Sequence, residues 1–436
     1  MNKAIMLSSV LMIASAPSVA DNASDWDTAW DEFEQVAETP EEPSPFSWNT
    51  SVEAAMSARL RDDPAISRDT VLAELRNRWN VFYDSDNVNL TYKADFLLDD
   101  LRSDHHYETR EANIFYRPAT YMEFKAGRQI LTWGTGDLIF LNDLFPKDWQ
   151  SFFAGRDDRY LKAPSDAIKV SAFSDLVNID VVYTPEFDSD IYISGERISY
   201  YSPMAGQVVA APPRLSPRDR DNTFEDSELA VRLSKNLKGA EYAIYFYDGF
   251  YKSPVGFDPD AATALFPALR VWGASYRAPW FGGIGNLEVA DYRSLDDPGG
   301  NDPFIPNDQQ RYLLGFEREL LANFTFALQY YLEITGDYDE LEEHSPDPAS
   351  EQEEYRRVWT NRLTYRVLNG NLTYSFFTFY SPSDQDGYLR PALDYRYSDQ
   401  LQVSIGGNIF FGDDPYTFFN RFEYNSNLYM RVKYYL

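Results

Sequence analysis

Apolar and polar residues alternate with a period of two along most of the chain, from about residue 49 to the C-terminus. The clearest run spans residues 324–334. One of its faces carries Phe324, Phe326, Leu328, Tyr330, Leu332 and Ile334, and the other carries Thr325, Ala327, Gln329, Tyr331 and Glu333. A helix cannot sort these residues onto two faces, whereas a strand does so because successive side chains point to opposite sides. The pattern therefore predicts β-strands with one apolar and one polar face.

Runs of this kind recur often enough to predict roughly 18 strands, with 16–18 as the expected range. The first strand is expected to begin near Val52 and the last near Phe422. Short turns alternate with long loops between the strands. The turns fall at residues 84–86, 117–119, 238–239, 282–283, 369–370 and 398–399, and the loops at residues 132–166, 188–226, 252–267, 296–310 and 335–355. Outer-membrane barrels show this asymmetry, with the short turns in the periplasm. The predicted fold is an all-β, antiparallel, up-and-down transmembrane β-barrel.

The composition agrees with strands that face lipid on one side and water on the other. The chain has 32 Tyr, 30 Phe and 9 Trp, which make 16% of its residues. Tyr and Trp are favoured where an apolar environment meets water. The formal net charge of −30 argues against nucleic acid as a partner, since phosphate binding draws on clustered Lys and Arg. The absence of Cys excludes disulfides and thiolate metal sites.

The N-terminus predicts export. Lys3 precedes an apolar stretch at residues 4–16, and Ser18, Val19 and Ala20 form a small-residue cleavage site, so residues 1–20 are expected to be a secretory signal peptide. This stretch is too short for a membrane-spanning helix, and no later segment is long and apolar enough, so an α-helical inner-membrane protein is not expected.

Residues 21–48 form an acidic segment without Lys or Arg, and we interpret them as a periplasmic leader. This leader is either a solvated tail or contains one short amphipathic helix around Trp26, Trp30, Phe33 and Val36. In both cases it could bind a periplasmic partner. Residues 49–436 then form the barrel domain.

One segment carries a resemblance to a known family. Residues 127–137 read Gly-Arg-Gln-Ile-Leu-Thr-Trp-Gly-Thr-Gly-Asp, followed by Asn-Asp-Leu-Phe-Pro at 142–146 and Leu-Lys-Ala-Pro at 161–164. This resembles the G-R-Q…W-G motif of a proteobacterial outer-membrane barrel family, of which the alginate-export barrels have a looser version. The resemblance implies an outer-membrane location and a role in transport or export, without substrate or catalytic residues. The motif lacks the G-K-[ST] of a phosphate-binding loop, and its glycines are otherwise explained by turns.

The final residues resemble the C-terminal signature by which the barrel assembly machinery recognises its substrates. Leu428, Met430, Val432, Tyr434 and Leu436 share one apolar face, but Leu436 stands where an aromatic residue is usual. Outer-membrane lipid and lipopolysaccharide are the other partners that this location implies.

The long loop at 132–166 is expected to fold into the barrel. It is rich in large apolar residues, including Leu138, Phe140, Phe145, Trp149 and Phe152, which would make an unfavourable exposed patch in water. Its charged residues would then lie in a constriction, where low-dielectric walls strengthen each charge. The residues expected nearest to a permeating solute are Arg128, Asp137, Lys147, Arg156, Asp157, Arg159 and Lys162 from the loop, and Arg232, Arg362, Arg366 and Arg396 from the wall.

Charges on the polar strand faces predict either a wet lumen or a closed ion-pair network. They are Arg59, Arg76, Arg78, Arg232, Arg362, Arg366, Arg390, Arg396 and Arg431, with Glu53, Glu74, Asp95, Asp180, Glu228, Glu317, Glu333 and Asp394. A basic residue that faces lipid at mid-depth costs about 2–4 kcal/mol, so these side chains belong inside. Rings of charge set ion selectivity when they line an open path.

Enzyme activity is not predicted. The histidines are His105, His106 and His344, and no nucleophile or partner motif surrounds them. The acidic run at 337–343 lacks the EF-hand pattern, and no cofactor or metal is predicted. We expect a channel for small polar or weakly preferred anionic solutes. The alternatives are an export or lipid/polysaccharide-transfer conduit that works with an inner-membrane transporter, and a structural or adhesive barrel with a sealed pore.

Overall fold

The computed structural model describes residues 44–101, 104–213 and 215–436. The chain divides into the unit Met1–Glu38 and the unit Thr39–Leu436, and only the second contains described residues. The predicted signal peptide, the leader up to residue 43 and its helix around Trp26 lie outside the described part. The first strand begins at Phe46, so the last three residues assigned to the leader belong to the barrel instead.

The described residues form 22 strands, numbered in chain order. Eighteen of them make the barrel: β1 Phe46–Arg59, β2 Ala73–Asp84, β3 Val88–Asp99, β4 Asp104–Ala119, β5 Met122–Ile130, β6 Pro164–Ala172, β7 Asn178–Thr184, β10 Glu228–Leu237, β11 Ala240–Phe250, β14 Ala268–Trp280, β15 Gly283–Ser294, β16 Gln309–Leu321, β17 Phe324–Thr335, β18 Tyr355–Val367, β19 Leu372–Ser381, β20 Asp386–Arg396, β21 Leu401–Gly412 and β22 Asn427–Tyr435. The other four form two hairpins in loops: β8 Tyr200–Ser202 with β9 Gln207–Val209, and β12 Gly256–Asp258 with β13 Thr263–Leu265.

The barrel closes because its first and last strands pair. Each barrel strand is antiparallel to the strands before and after it, and β1 pairs with both β2 and β22. The closing ladder runs from Ser51 opposite Tyr435 to Arg59 opposite Asn427. Closure leaves no sheet edge, which is the condition for crossing a bilayer with strands. The predicted fold class and strand number are confirmed. The predicted start of the last strand, near Phe422, is too early. Phe422 lies in a 3-10 turn (Asn420–Asn425), and β22 begins at Asn427.

The two faces of the barrel differ as the alternation predicts. On β17, Gln329, Tyr331 and Glu333 are 4–6% exposed, whereas Leu328, on the opposite face, is 37% exposed. Apolar side chains cover the outside all round, among them Met56, Leu98, Ile244, Trp272, Tyr312, Trp359, Ile405 and Met430. Such a surface belongs in lipid, and the polar side chains point into the barrel. The molecule is therefore a transmembrane β-barrel of the outer-membrane kind.

Tight turns join the strands at one end of the barrel. Lys238 and Gly239 connect β10 to β11 with φ of 52° and 81°, and Phe281 and Gly282 connect β14 to β15 with φ of 44° and 75°. Positive φ at both central residues is the hairpin geometry that matches the twist of paired strands. The other end carries the long loops, with helices at Trp149–Ala154 and Tyr338–His344 and 3-10 turns at Asp158–Tyr160, Pro348–Ser350 and Asn420–Asn425. Among the described helices, none has both the length and the apolar character needed to cross a membrane.

The asymmetry between the two ends predicts the orientation of the barrel. Tags inserted near Asp297 and Asp339, in the long loops, should be labelled by a membrane-impermeant reagent on intact cells. A tag beside Gly370, in a tight turn, should be labelled only after the outer membrane is permeabilised, because short turns face the periplasm. Labelling in the reverse order would mean that the assigned orientation is wrong.

Candidate functional site in the barrel interior

The connection between β5 and β6, residues 131–163, reaches lumen-facing side chains on several distant strands. We call it the inner loop. Its Asp137 contacts Gln329 of β17 and Arg362 of β18, and its Asp158 contacts Arg390 of β20. On the opposite wall, Tyr160 donates a hydrogen bond of 2.8 Å to Asp95 of β3. The loop therefore spans the interior of the barrel from one wall to another.

Aromatic packing holds the middle of the inner loop. Phe152 and Phe153, on the helix Trp149–Ala154, lie 5.8 and 5.5 Å from the ring of Tyr388 on β20. Phe153 also lies 5.2 Å from Phe410 on β21. Aromatic pairs at this separation contribute about 0.5–1.5 kcal/mol each beyond their buried area. The apolar residues that predicted infolding make these contacts.

The helix ends where the wall leaves no room for a side chain. Asp148 caps its N-terminus by accepting a hydrogen bond of 2.7 Å from the amide of Ser151. At its other end Gly155 has φ of 91°, and a Cβ there would lie 2.3 Å from the ring of Tyr429 on β22. Only glycine meets both the conformation and the space.

The sequence motif surrounds a single carboxylate. Glu288 of β15, which is 2% exposed, accepts hydrogen bonds from the amide and the hydroxyl of Thr135, from the amide of Gly136 at 2.8 Å and from the side-chain amide of Asn142 at 2.8 Å. Gly134, with φ of 84°, lets the turn curl around this group. A carboxylate with this many donors is strongly held. The Trp-Gly-Thr-Gly sequence is thus one of the parts of the inner loop that bind the wall.

A second loop, residues 185–227, joins the first at the mouth of the barrel. Asp148 and Ile191 form a parallel bridge, and Asp190 accepts hydrogen bonds from the amide of Lys147 at 2.7 Å and from the indole of Trp149 at 3.0 Å. Further along, Ser199 accepts a hydrogen bond from Asn425, in the turn before β22. The two loops therefore support each other.

Ion pairs join the free side of the inner loop to the wall. Asp137 binds Arg362, Asp158 binds Arg390 at 2.6 Å, and Asp157 lies 3.7 Å from Arg431. The side chains of Asp137, Asp157 and Asp158 are 38%, 24% and 51% exposed although the barrel surrounds them. They must face water inside the lumen. This set of loop acids and wall arginines is called the charged constriction below.

A pocket adjoins the charged constriction. Its lining is Ser51, Glu53, Arg76, Arg78, Asp157, Arg159, Tyr160 and Lys433. Lys433 stands directly opposite Glu53 in the closing ladder. Among the described residues, no carboxylate lies within 4 Å of the Lys433 ammonium group. Glu53 likewise has no ion-pair partner within 4 Å among the described residues, so the charges of Lys433 and Glu53 oppose each other across the ladder.

Two acids of the constriction, Asp157 and Asp158, are held in their charged form. Burial alone would raise the pKa of Asp157, but the charges of Arg159, Arg431 and Lys433 outweigh it and keep that pKa well below its usual range. Burial likewise opposes ionisation of Asp158, and the charge and hydrogen bond of Arg390 lower its pKa below the ordinary value.

The residues predicted from the sequence to lie near a permeating solute fall into three groups. Asp137, Asp157 and Arg159 face the lumen from the loop, and Arg232, Arg362, Arg366 and Arg396 lie on the lumen side of their strands. Lys147 and Arg156 are anchors instead: Lys147 is 3% exposed beside Asp143, and Arg156 pairs with Glu74 at 2.8 Å. The carbonyl of Lys162 accepts a hydrogen bond from Arg110, which fixes the end of the loop.

Arg128 requires a correction. It pairs with Asp166 of β6 at 2.5 Å, and Asp166 shares its face with the exposed Ile168. Both charged residues therefore point outward, away from the lumen. The neighbouring Gln129, which is fully buried, is the residue of this segment that faces inward. The loop itself ends earlier than predicted, because residues 164–166 already belong to β6.

Several residues of the site were not predicted. Asp158, Glu288, Gln329 and Lys433 were absent from the expected set, and Arg390 and Arg431 were assigned only to the general lumen face. The strand alternation alone could have placed Glu288 on the lumen face, because it lies between the outward-facing Leu287 and Val289. The sequence does not indicate which loop group would meet it, 152 residues away at Gly136.

The histidines make no catalytic arrangement in the described residues. His105 and His106 lie in β4, opposite Leu98 and Leu97. His344 ends the helix Tyr338–His344, where its Nδ1 lies 2.8 Å from the carbonyl of Glu340. In the part of the chain that is described, no three His, Asp or Glu side chains are placed to hold a metal ion.

Comparisons with known proteins identify the fold. No known protein family and no curated protein matches the sequence. OccD3 (OpdP) of Pseudomonas aeruginosa is 10% identical with a TM-score of 0.53, over 90% of this chain and 91% of that one. OccAB4 of Acinetobacter baumannii is 9% identical with a TM-score of 0.53, over 91% of this chain and 100% of that one. Both are outer-membrane porins. The chain has a porin-type barrel fold.

At such low identities the likeness concerns the fold alone. None of these comparisons links the Gly127–Asp137 motif to the alginate-export barrels, so the resemblance seen in the sequence is not supported as a family assignment. In this porin-type barrel, the motif instead has a local explanation in the turn around Glu288.

The Glu288 contact gives a test of how the inner loop is held. Glu288→Ala should release the 132–137 turn, because a hydrogen bond to a charged group contributes about 1.5–3 kcal/mol and several are lost together. We expect faster proteolysis within residues 131–163 and larger current fluctuations in planar bilayers. Glu241→Gln, a lumen carboxylate on β11 that pairs with Arg232, is the matched control and should behave as wild type. Equal proteolysis of the two variants would contradict the anchoring role.

The low pKa values predict insensitivity to mild acid. A carboxylate whose folded-state pKa is depressed contributes stability above its unfolded pKa, near 3.9, and loses it only as the pH falls through the lower folded value. Asp157 and Asp158 should therefore stay charged from pH 7 to pH 5. The reversal potential in a salt gradient should be unchanged over this range in wild type and in Asp158→Asn. A shift confined to wild type would show that Asp158 titrates there.

Proposed function

We propose that the chain is an outer-membrane channel for small polar solutes with a weak preference for anions, and that the inner loop forms its constriction. The observation that carries the proposal is the charged constriction itself. Three loop carboxylates face arginines of the wall, and their side chains reach water inside the barrel. A porin-type fold supplies the path, and the loop narrows it.

The preference for anions follows from how the charges are paired. Asp137 and Asp158 each neutralise one wall arginine, and Asp157 lies between Arg159 and Arg431. The constriction therefore has four arginines against three carboxylates, while Lys433 and Glu53 offset each other across the closing ladder. Charges in a narrow space with low-dielectric walls act over longer distances than on an open surface. A small excess of positive potential at the constriction is the expected result, despite the net charge of −30 for the whole chain.

Among the described residues, the barrel interior shows no arrangement that favours catalysis over passage. Asp148, a buried acid of the inner loop, caps a helix, and Asp190, a buried acid of the second loop, bridges the two loops. A path with fixed charges on both sides is what ion-selective pores use. We therefore propose a transporter and not an enzyme.

An export conduit that works with an inner-membrane transporter is the alternative. Passage of a polymer would require the inner loop to leave the wall, against the Glu288 contacts and the packing of Phe152 and Phe153. The channel proposal needs no such movement. If the wild-type barrel does not conduct and a conductance appears only when the loop is released, as in Glu288→Ala, the export conduit or a structural barrel with a sealed pore would be favoured.

Three further assignments accompany the proposal. Residues 1–20 would direct export, the acidic leader would be available to a periplasmic partner, and the barrel assembly machinery would recognise β22. The last is supported by the outward, apolar face of Leu428, Met430 and Tyr434, which are 44–50% exposed.

Opposite shifts of ion selectivity test the constriction. Lys433→Gln removes a positive charge and should move the reversal potential toward cations, whereas Asp158→Asn frees Arg390 and should move it toward anions. Both variants are compared with wild type in planar bilayers under a potassium chloride gradient. Arg218→Gln, which changes an exposed loop arginine paired with Asp258, should have no effect and serves as the control.

Two results would contradict the proposal in different ways. If the wild-type barrel gives no conductance in the bilayer, the pore is sealed and the channel function is wrong. If it conducts but neither variant shifts the reversal potential, solutes pass elsewhere and the charged constriction is misassigned.

A further inference from the structure

Two arginines stand side by side on the outer, lipid-facing surface. Arg270 of β14 and Arg293 of β15 are directly opposite each other in the strand pair. Their side chains are 46% and 51% exposed. Like charges directly opposite in a sheet are destabilising, and basic residues are costly where they face lipid. Because both side chains lie on the outer surface, a role in the lumen cannot explain why two arginines stand together here.

Their height places them at the border of the membrane. Both arginines lie about 11 residues from the tight turn Phe281–Gly282. At about 3.3 Å per residue and a strand tilt of about 40°, this distance is about 28 Å along the membrane normal, compared with an apolar band about 25 Å tall. On β18, the exposed Arg357 lies equally far from the turn that begins at Leu368. These arginines thus reach the head-group region of the outer leaflet.

Aromatic and apolar side chains lie directly below the pair. The rings of Phe246 and Trp272 are 4.5 Å apart, and Trp272 is 55% exposed. Ile244 and Val289 continue the apolar surface toward the periplasm, with exposures of 56% and 43%. Tryptophan at this depth is typical of a membrane interface. The surface therefore offers a place for acyl chains beneath a place for a charged head group.

Carboxylates orient the two guanidinium groups without using all their donors. Asp248 accepts from Arg270 at 2.6 Å, and Asp291 and Asp308 each accept from Arg293 at 2.7 Å. Each guanidinium has five N–H donors in a planar fork that suits phosphate oxygens. Asp248 holds the Nε–Nη2 edge of Arg270, whereas Asp291 and Asp308 take the Nε and the Nη1 of Arg293. The Nη1 of Arg270 and the Nη2 of Arg293 keep donors for an anionic group that approaches from the membrane.

We propose that Arg270 and Arg293 form a docking site for the phosphorylated head group of an outer-leaflet glycolipid. The phosphate lies against the two guanidinium groups, and the acyl chains lie along Trp272, Phe246 and the apolar surface below. This site is independent of the charged constriction, which is on the inside of the barrel. It requires only that the long loops face outward.

The test measures lipid binding by the refolded full-length barrel in detergent micelles. The probes are bisphosphorylated lipid A, its dephosphorylated form and inorganic phosphate. The readout is the temperature at which the compact, heat-modifiable gel band is lost, as a function of probe concentration. Lipid A should raise this temperature, the dephosphorylated lipid should raise it less, and inorganic phosphate at equal concentration should have no effect.

Variants then assign the effect to the two arginines. Arg270→Ala with Arg293→Ala should need at least about tenfold more lipid A for the same shift, because charge-assisted hydrogen bonds are lost. The double lysine variant keeps the charges but not the forks, and should be intermediate. Arg218→Ala, in an outer loop, should match wild type. Asp248→Asn should bind lipid A as tightly as wild type or more tightly, because it removes a competing acid.

Three outcomes would overturn the proposal. One is that the double alanine and double lysine variants respond to lipid A as wild type does. Another is that inorganic phosphate or the dephosphorylated lipid gives the full shift, which would indicate a free-anion site or a purely apolar contact. The third is weaker binding by Asp248→Asn together with loss of binding in a chelator, which would indicate divalent cations bridged by acids. None of these results depends on conductance, so they leave the channel proposal unaffected.

Discussion

The pairing of β1 with β22 is the constraint on which the rest of the structure depends. A backbone amide or carbonyl that faces hydrocarbon without a partner costs several kcal/mol, and a sheet has such groups along both edges until it closes. Once the ladder from Ser51–Tyr435 to Arg59–Asn427 is made, each of the 18 barrel strands has two neighbours. Side chains are then free to vary on both faces, apolar toward lipid and polar toward the lumen.

Closure also creates the interior in which the inner loop is held. The loop is not supported by its own strands, β5 and β6, but by β2, β3, β15, β17, β18 and β20 to β22 around the cylinder. Some contacts are apolar, such as Phe153 with Phe410, and others are charged, such as Asp158 with Arg390. Asp137, Asp157 and Asp158 keep partly exposed side chains, whereas Asp143 and Asp148 are buried. The same segment thus serves as a packed wall and as a charged lining.

The sequence predicts the barrel well because strand alternation is local. The polar face of residues 324–334 is the buried, inward face in the structure, and the tight turns at Gly239, Gly282 and Gly370 fall where predicted. The site is predicted less well because its geometry depends on contacts between distant residues. The side chain of Arg128 points outward because of the strand alternation, although the residues that follow it in the motif enter the lumen. Arg156 and Glu74 are 82 residues apart, and only the closed barrel makes one the anchor of the other.

The span of the inner loop has a consequence for the order in which the chain is assembled. Its side chains reach Arg390 and Phe410, and its backbone reaches Asn427, which is 274 residues away from Phe153. Those partners exist only after the last strands have been added. Contacts of such large sequence separation form late, because the entropy of closing the intervening chain must be overcome first. The inner loop is therefore expected to be among the last parts of the barrel to settle, after the strands that it contacts have closed the cylinder.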